Sequence, residues 1–305
     1  MKFSFSKYVW FDGKFVPLSK AKVPITTHAI HYGTSIFEGI RGYWSSKNLY
    51  IFRLNDHVKR FRNSGKFYNI TFNFSDKQIE NAVLNLCKKN KIKESCYIRP
   101  FYFVSQLGIN LHVTKKAPTH VAMFSFPFGD LFNKNGITAT ISKWRKFSDL
   151  STPIQAKMGG NYLNSVLATQ DAKQKGFDEA IFLDQSGNVS EAPGENIFLV
   201  KNNKLITPTL NASALDGITQ NSIITLAKDM NLEVKVRKVS KKELKFADEI
   251  FLSGTAAEIT PIIKLDKKKI GDGKVGKITK SLMTSYAEIV MNKNKKYSHW
   301  LTPVF

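Results

Sequence analysis

Cysteine is nearly absent: Cys87 and Cys96 are the only two in 305 residues. That excludes a disulfide-stapled scaffold, and no cysteine–histidine spacing suits a zinc site. Cys87 falls on one helical stripe with Ile79 and Val83, which makes it a core residue. No apolar run approaches the roughly 18 residues of a membrane span. The first residues carry charge but no apolar h-region, so the expectation is a cytoplasmic protein without a signal peptide. Arginine is scarce as well, with 7 among 46 basic residues against 24 acidic ones, for a net charge of +22. Base readout and bidentate phosphate recognition favour arginine, and no basic stretch is interleaved with stacking aromatics. The charge therefore reads as a general bias toward lysine, with no nucleic-acid and no membrane partner.

What is present suits a globular chain of two domains: 42% hydrophobic and 12% aromatic residues over a length too great for one ordinary core. The boundaries read as 1–127 for an N-terminal α/β domain, 128–136 for a connecting loop and 137–305 for a C-terminal cofactor-binding domain. The opening is a β meander, with strands at Tyr8-Val9-Trp10-Phe11 and Phe15-Val16 about a turn at Asp12-Gly13. A helix follows from Leu54, burying Leu54, Val58 and Phe61. A second starts after Ser75, where Ser75 and Gln78 form a capping box. Strands are expected at 96–104, 120–126, 137–141, 179–183, 196–200 and 249–252. Further helices are expected from Asn161, after Gly217 and after Ser240, the last with a capping box to Glu243. The alternation is too irregular for a doubly wound sheet.

One motif is misleading. Gly271-Asp272-Gly273-Lys274-Val275-Gly276 satisfies the dinucleotide pattern and nearly a P-loop, but no hydrophobic strand leads into it. A turn before a helix from Ile278 is the better account.

The chemistry centres on Ala156-Lys157-Met158-Gly159-Gly160-Asn161-Tyr162. Its glycines permit close approach of a bulky ligand, Asn161 is a candidate helix cap, and Lys157 is placed on a turn. A partly desolvated lysine can form a Schiff base with a carbonyl cofactor. Pyridoxal phosphate would also need a partner for its ring nitrogen, a donor to its ring oxygen and an anion pocket. Glu191, Tyr162 and a set comprising Arg60, Thr255 and the backbone N–H groups of Ile218 and Thr219 are candidates for these roles. Residue chemistry alone does not select them from 39 lysines and 24 acidic side chains.

The chain resembles the class IV aminotransferases, the fold-type IV pyridoxal-phosphate enzymes, and within them the bacterial branched-chain amino-acid aminotransferases. The resemblance is carried by residues 10–13, 31–41, 57–61, 97–100, 156–162, 191–196, 215–219 and 253–258, in that order along nearly the whole chain. It implies a smaller N-terminal α/β domain, a C-terminal pseudo-barrel domain with pyridoxal 5'-phosphate between the two, and a homodimer or higher homo-oligomer. It implies reversible transamination between leucine, isoleucine or valine and 2-oxoglutarate. In that scheme Lys157 carries the cofactor and moves the proton. Arg60, Tyr162, Glu191, Gly194, Leu215, Ile218, Thr219 and Thr255 join it in binding the cofactor. Tyr97, with the backbone of Thr255 and Ala256, binds the α-carboxylate; Phe37 and Gly39 line the side-chain pocket; Tyr32 and Arg99 accept the distal carboxylate of glutamate.

Departures from the family pattern fall where specificity is set. Leu131 stands where a tyrosine is expected in the connecting loop, residues 107–111 are atypical, and Asp216 replaces a frequent proline before Gly217. The rival readings are a D-amino-acid transaminase, an amine transaminase or aminodeoxychorismate lyase within the family. Outside it, the rival is a non-catalytic basic nucleic-acid-binding protein.

Overall fold

The computed structural model describes residues 4–70 and 72–305. Met1, Lys2 and Phe3, the start of the segment read for a leader, lie outside the described residues. The chain forms two compact units, Met1–Gly129 with Ala156–Gly160 and Glu288–Phe305, and Asp130–Gln155 with Asn161–Ala287. Residues 156–160 and 288–305, counted with the C-terminal span in the sequence, thus group with the N-terminal residues.

In the first unit the strands run in the order Leu301–Pro303, Asn48–Phe52, Ile40–Ser45, Cys96–Val104, Thr119–Pro127, Tyr8–Phe11 and Lys14–Pro17, with Ser35–Phe37 also paired to Cys96–Val104. The helices Leu54–Gly65 and Asp76–Lys89 belong to the same core. Leu54, Val58 and Phe61 from one, and Ile79, Val83 and Cys87 from the other, are buried with Ile40, Leu49, Ile51 and Ile98. These are the stripes that helical spacing demands. The capping box at Ser75 forms in both directions with Gln78. Cys87 and Cys96 are both buried and free.

The second unit is built on a mixed sheet ordered Val234–Val236, Lys204–Thr207, Asn196–Lys201, Glu249–Gly254, Glu258–Leu265, Ile137–Arg145 and Glu179–Leu183, with Lys268–Lys269 on Glu258–Leu265. Glu179–Leu183 pairs in parallel with Ile137–Arg145. The connecting helix, Tyr162–Gln174, packs Ala168 and Ala172 against Ala180 and Phe182. Parallel neighbours need such a crossover. The glycine-rich stretch at 271–276 precedes the helix Lys277–Val290. The N–H groups of Ile278 and Thr279 donate to Glu249 at 3.0 and 2.7 Å. A protein carboxylate therefore occupies the helix start where a nucleotide phosphate would be needed.

Two local expectations change. Asn161 has helical φ/ψ and makes no side-chain cap. Its amide instead accepts from Thr152 Oγ1 at 2.8 Å, because the preceding turn Gly159–Asn161 is already 3-10 helical. Gly159 and Gly160 serve contacts with the protein's own residues 33 and 35. A Cβ on Gly159 would lie 2.2 Å from Ser35 Oγ, and Gly160 N–H donates to Gly33 O at 3.1 Å.

Candidate active site

In the first unit, Lys157 sits in the short segment that bridges to Ser35–Phe37. Its carbonyl accepts from Phe37 N–H at 3.1 Å and its N–H donates to Ser64 Oγ at 3.0 Å. Its Nζ lies 5.0 Å from the centre of the Phe37 ring. Burial lowers the amine to a pKa of about 8, with Arg60 and Arg99 pushing the same way and Glu38 and Tyr97 opposing. A lysine in that range has a usable neutral fraction near pH 7.5, which a surface lysine lacks.

Around it the first unit gathers Arg60, Tyr97 and Arg99. Arg60 is on Leu54–Gly65, and its Nε and Nη2 donate to Glu38 at 2.7 and 2.9 Å. His57 Nδ1 lies 2.8 Å from the same carboxylate. Burial alone would raise the Glu38 carboxyl; the charge of Arg60 and the hydrogen bonds from His57 and Arg60 outweigh it and hold the group well below the usual carboxylate range. Arg99 Nη2 donates to Tyr97 Oη at 3.0 Å, and its guanidinium lies 4.5 Å from the Phe37 ring centre. Arg99 Nε is buried without a hydrogen-bond partner among the described residues. Gly39 is fixed by size, since a Cβ there would fall 1.8 Å from the Tyr97 hydroxyl. Tyr32 is 43% exposed, and its ring packs 4.5 Å from that of His28.

The second unit holds the other set. Glu191 is buried, 6% exposed, in the turn between Glu179–Leu183 and Asn196–Lys201. Its Oε2 accepts from Leu215 N–H at 3.0 Å and Asn196 Nδ2 at 3.4 Å, and its Oε1 lies 2.7 Å from Lys146 Nζ. Asn196 also donates to Leu215 O at 2.9 Å. A Cβ at Gly217 would meet Asn196 Oδ1 at 1.9 Å. Gly217 opens the helix Ile218–Asp229 with no side-chain cap, so the N–H groups of Ile218 and Thr219 keep the first-turn position that suits an anion. Thr255 and Ala256 follow Gly254 in the turn between Glu249–Gly254 and Glu258–Leu265, where a Cβ on Gly254 would approach Gly194 O at 3.2 Å. Tyr162 begins the helix after Asn161.

Four participants had no role in the sequence reading. Glu38 and His57 lie in quoted motifs; a signal existed, since His57 and Arg60 are one helical turn apart and share a face. Asn196 ends the Glu191 motif. Lys146 had no signal, being one lysine among 39.

Comparison with known proteins gives the family. The model of the family described as amino-transferase class IV matches residues 35–265. A probable branched-chain-amino-acid aminotransferase of Aquifex aeolicus is 41% identical over 302 residues, covering 98% of this chain and 97% of that protein. The crystal structure of a branched-chain aminotransferase from Thermoproteus uzoniensis with norvaline is 39% identical with a TM-score of 0.95, covering 98% and 100% of the two chains. That of a branched-chain amino acid aminotransferase from Thermobaculum terrenum in its PLP-bound holo-form is 35% identical with a TM-score of 0.93, covering 99% of each chain. This chain belongs to the class IV aminotransferases, with their fold-type IV architecture.

Pyridoxal 5'-phosphate is the cofactor. Each unit holds groups of the kinds it needs: the first an amine of lowered basicity at Lys157, the second a buried carboxylate with acceptor capacity left at Glu191 and an uncapped helix start at Ile218. No helix among the described residues is long and apolar enough to cross a membrane.

Proposed function

We propose that this chain is a pyridoxal-phosphate-dependent branched-chain amino-acid aminotransferase. It exchanges the amino group between leucine, isoleucine or valine and 2-oxoglutarate, giving the branched-chain 2-oxo acids and L-glutamate. The observation that carries the reading is the likeness, along 98% of the chain at 41% identity, to a probable branched-chain-amino-acid aminotransferase, with Lys157 Nζ held 5.0 Å from the Phe37 ring centre.

When bound, the cofactor supplies an electron-withdrawing ring that stabilises negative charge at the substrate α-carbon. Lys157 carries the cofactor, and Nζ moves the substrate's α-proton. Glu191 pairs with the ring nitrogen and Tyr162 with the ring oxygen. Arg60, Ile218, Thr219 and Thr255 hold the phosphate, and Gly194 and Leu215 also bind the cofactor. Tyr97 and the backbone of Thr255 and Ala256 take the α-carboxylate. Phe37 and Gly39 bound an apolar side-chain pocket, and Arg99 and Tyr32 take the second carboxylate of glutamate. The orphaned Nε of Arg99 supports that last role, because a buried guanidinium nitrogen without a partner suits an incoming anion.

Its partners are small-molecule amino and 2-oxo acids and further copies of itself, as a cytoplasmic homodimer or higher homo-oligomer, with no nucleic acid and no membrane. The test is a panel of L- and D-amino donors with 2-oxoglutarate and the branched-chain 2-oxo acids. Leucine, isoleucine, valine and glutamate should lead; a lead for D-amino acids or simple amines would move the chain to another activity of the class.

A further inference from the structure

Lys146 is a buried charge that the roles above leave unused. It is 7% exposed, just beyond the strand Ile137–Arg145. Its backbone is tied on both sides: its N–H donates to Leu183 O at 2.9 Å, and its carbonyl accepts from Gln185 Nε2 at 2.8 Å. The side chain passes over Phe182, with Nζ 5.2 Å from the ring centre, and ends 2.7 Å from Glu191 Oε1. Glu191 is pinned to the same strand, since Phe182 N–H donates to Glu191 O at 2.8 Å. Ammonium and carboxylate thus stand on one rigid frame.

A carboxylate has about four acceptor positions. Lys146, Leu215 N–H and Asn196 Nδ2 occupy three of them. One position therefore remains, with its direction set by the other three. Removing Lys146 would free Oε1 and let the carboxylate rotate about its last bond to recruit other donors. A buried ion pair is weak grounds for a stability role, because apolar replacements are often as stable.

We propose that Lys146 is a positioning residue that balances the charge of Glu191 and fixes its plane, so that the remaining acceptor position meets the protonated ring nitrogen of the cofactor. This rests on the proposed pairing of Glu191 with that nitrogen.

The test measures the affinity of the full-length apoprotein for pyridoxamine 5'-phosphate and for its 1-deaza analogue, in which C–H replaces the ring nitrogen. Neither forms a covalent bond to Lys157, so their ratio reads the nitrogen contact alone. Lys146→Met should lower the preference for the nitrogen-bearing ring about tenfold, the scale of one hydrogen bond to a charged group, with deaza affinity unchanged. Lys146→Arg should retain it, and Glu191→Gln should abolish it. Lys146→Gln, which keeps a donor without the charge, carries the same prediction as Lys146→Met should the methionine variant not fold. An unchanged or increased preference in the neutral variants, with Glu191→Gln still abolishing it, overturns the role of Lys146 alone. Retention of the preference in Glu191→Gln overturns the Glu191 pairing, and the inference falls with it.

Discussion

Arg60 grips Glu38 through two nitrogens, at 2.7 and 2.9 Å, and Glu38 is fully enclosed. The fork fixes the guanidinium beside Lys157 and spends a buried negative charge to do so. Glu38→Gln leaves Arg60 without its counter-charge, and removing one partner of a buried pair costs on the order of 3 kcal/mol. Chemical denaturation should show a loss of that size, and cofactor affinity should fall with it. Unchanged stability and affinity would mean that the fork positions nothing.

With the proposed attachment at Lys157, the lowered basicity of that amine makes loading of the cofactor pH-dependent. Burial depresses the folded-state value to about 8, so the amine is cationic and unreactive well below that pH and neutral above it. Trapping by borohydride after brief exposure of apoprotein to pyridoxal phosphate should give a rate that rises with pH to a midpoint near 8. A midpoint above 10, as for an ordinary lysine, would contradict the burial argument.

The role proposed for Arg99 separates the two half-reactions. Its unpartnered Nε lies beside Phe37 and Tyr97, where an apolar side chain needs no charge and glutamate does. Arg99→Ala should lower kcat/KM for glutamate about tenfold more than for leucine, the value of one charge-assisted hydrogen bond. Equal losses would reject the assignment.

Gly33 holds the Lys157 segment from a distance. It takes φ of +67°, and a Cβ there would lie 2.9 Å from Gly160 Cα. Gly33→Ala should destabilise by on the order of 2 kcal/mol through left-handed strain and backbone collision. It should also slow cofactor attachment, whereas Gly176→Ala, at a positive φ of 79° with open space around it, should show the strain without the slowing.

Local patterns were legible in the sequence. The capping boxes at Ser75 and Ser240 depend on residues three apart, and both form. The buried stripes of Leu54, Val58 and Phe61 follow from helical period alone. Features that depend on distant partners were not legible. Gly159 is small because Ser35 presses on it, and Asn161 turns to Thr152 instead of capping its helix. Lys146 is distinguished from its fellow lysines only by burial against Glu191 and Phe182. Lys157 itself was selected by its motif, and its lowered basicity emerges only from Arg60 and the surrounding burial.

The central claim is that Lys157 carries the cofactor. Borohydride reduction of the protein loaded with pyridoxal phosphate, followed by peptide mapping, tests it most directly. The phosphopyridoxyl label should sit on Lys157 and vanish in a folded Lys157→Ala variant that has lost turnover. A label on any other lysine, or turnover retained by Lys157→Ala, would contradict the account.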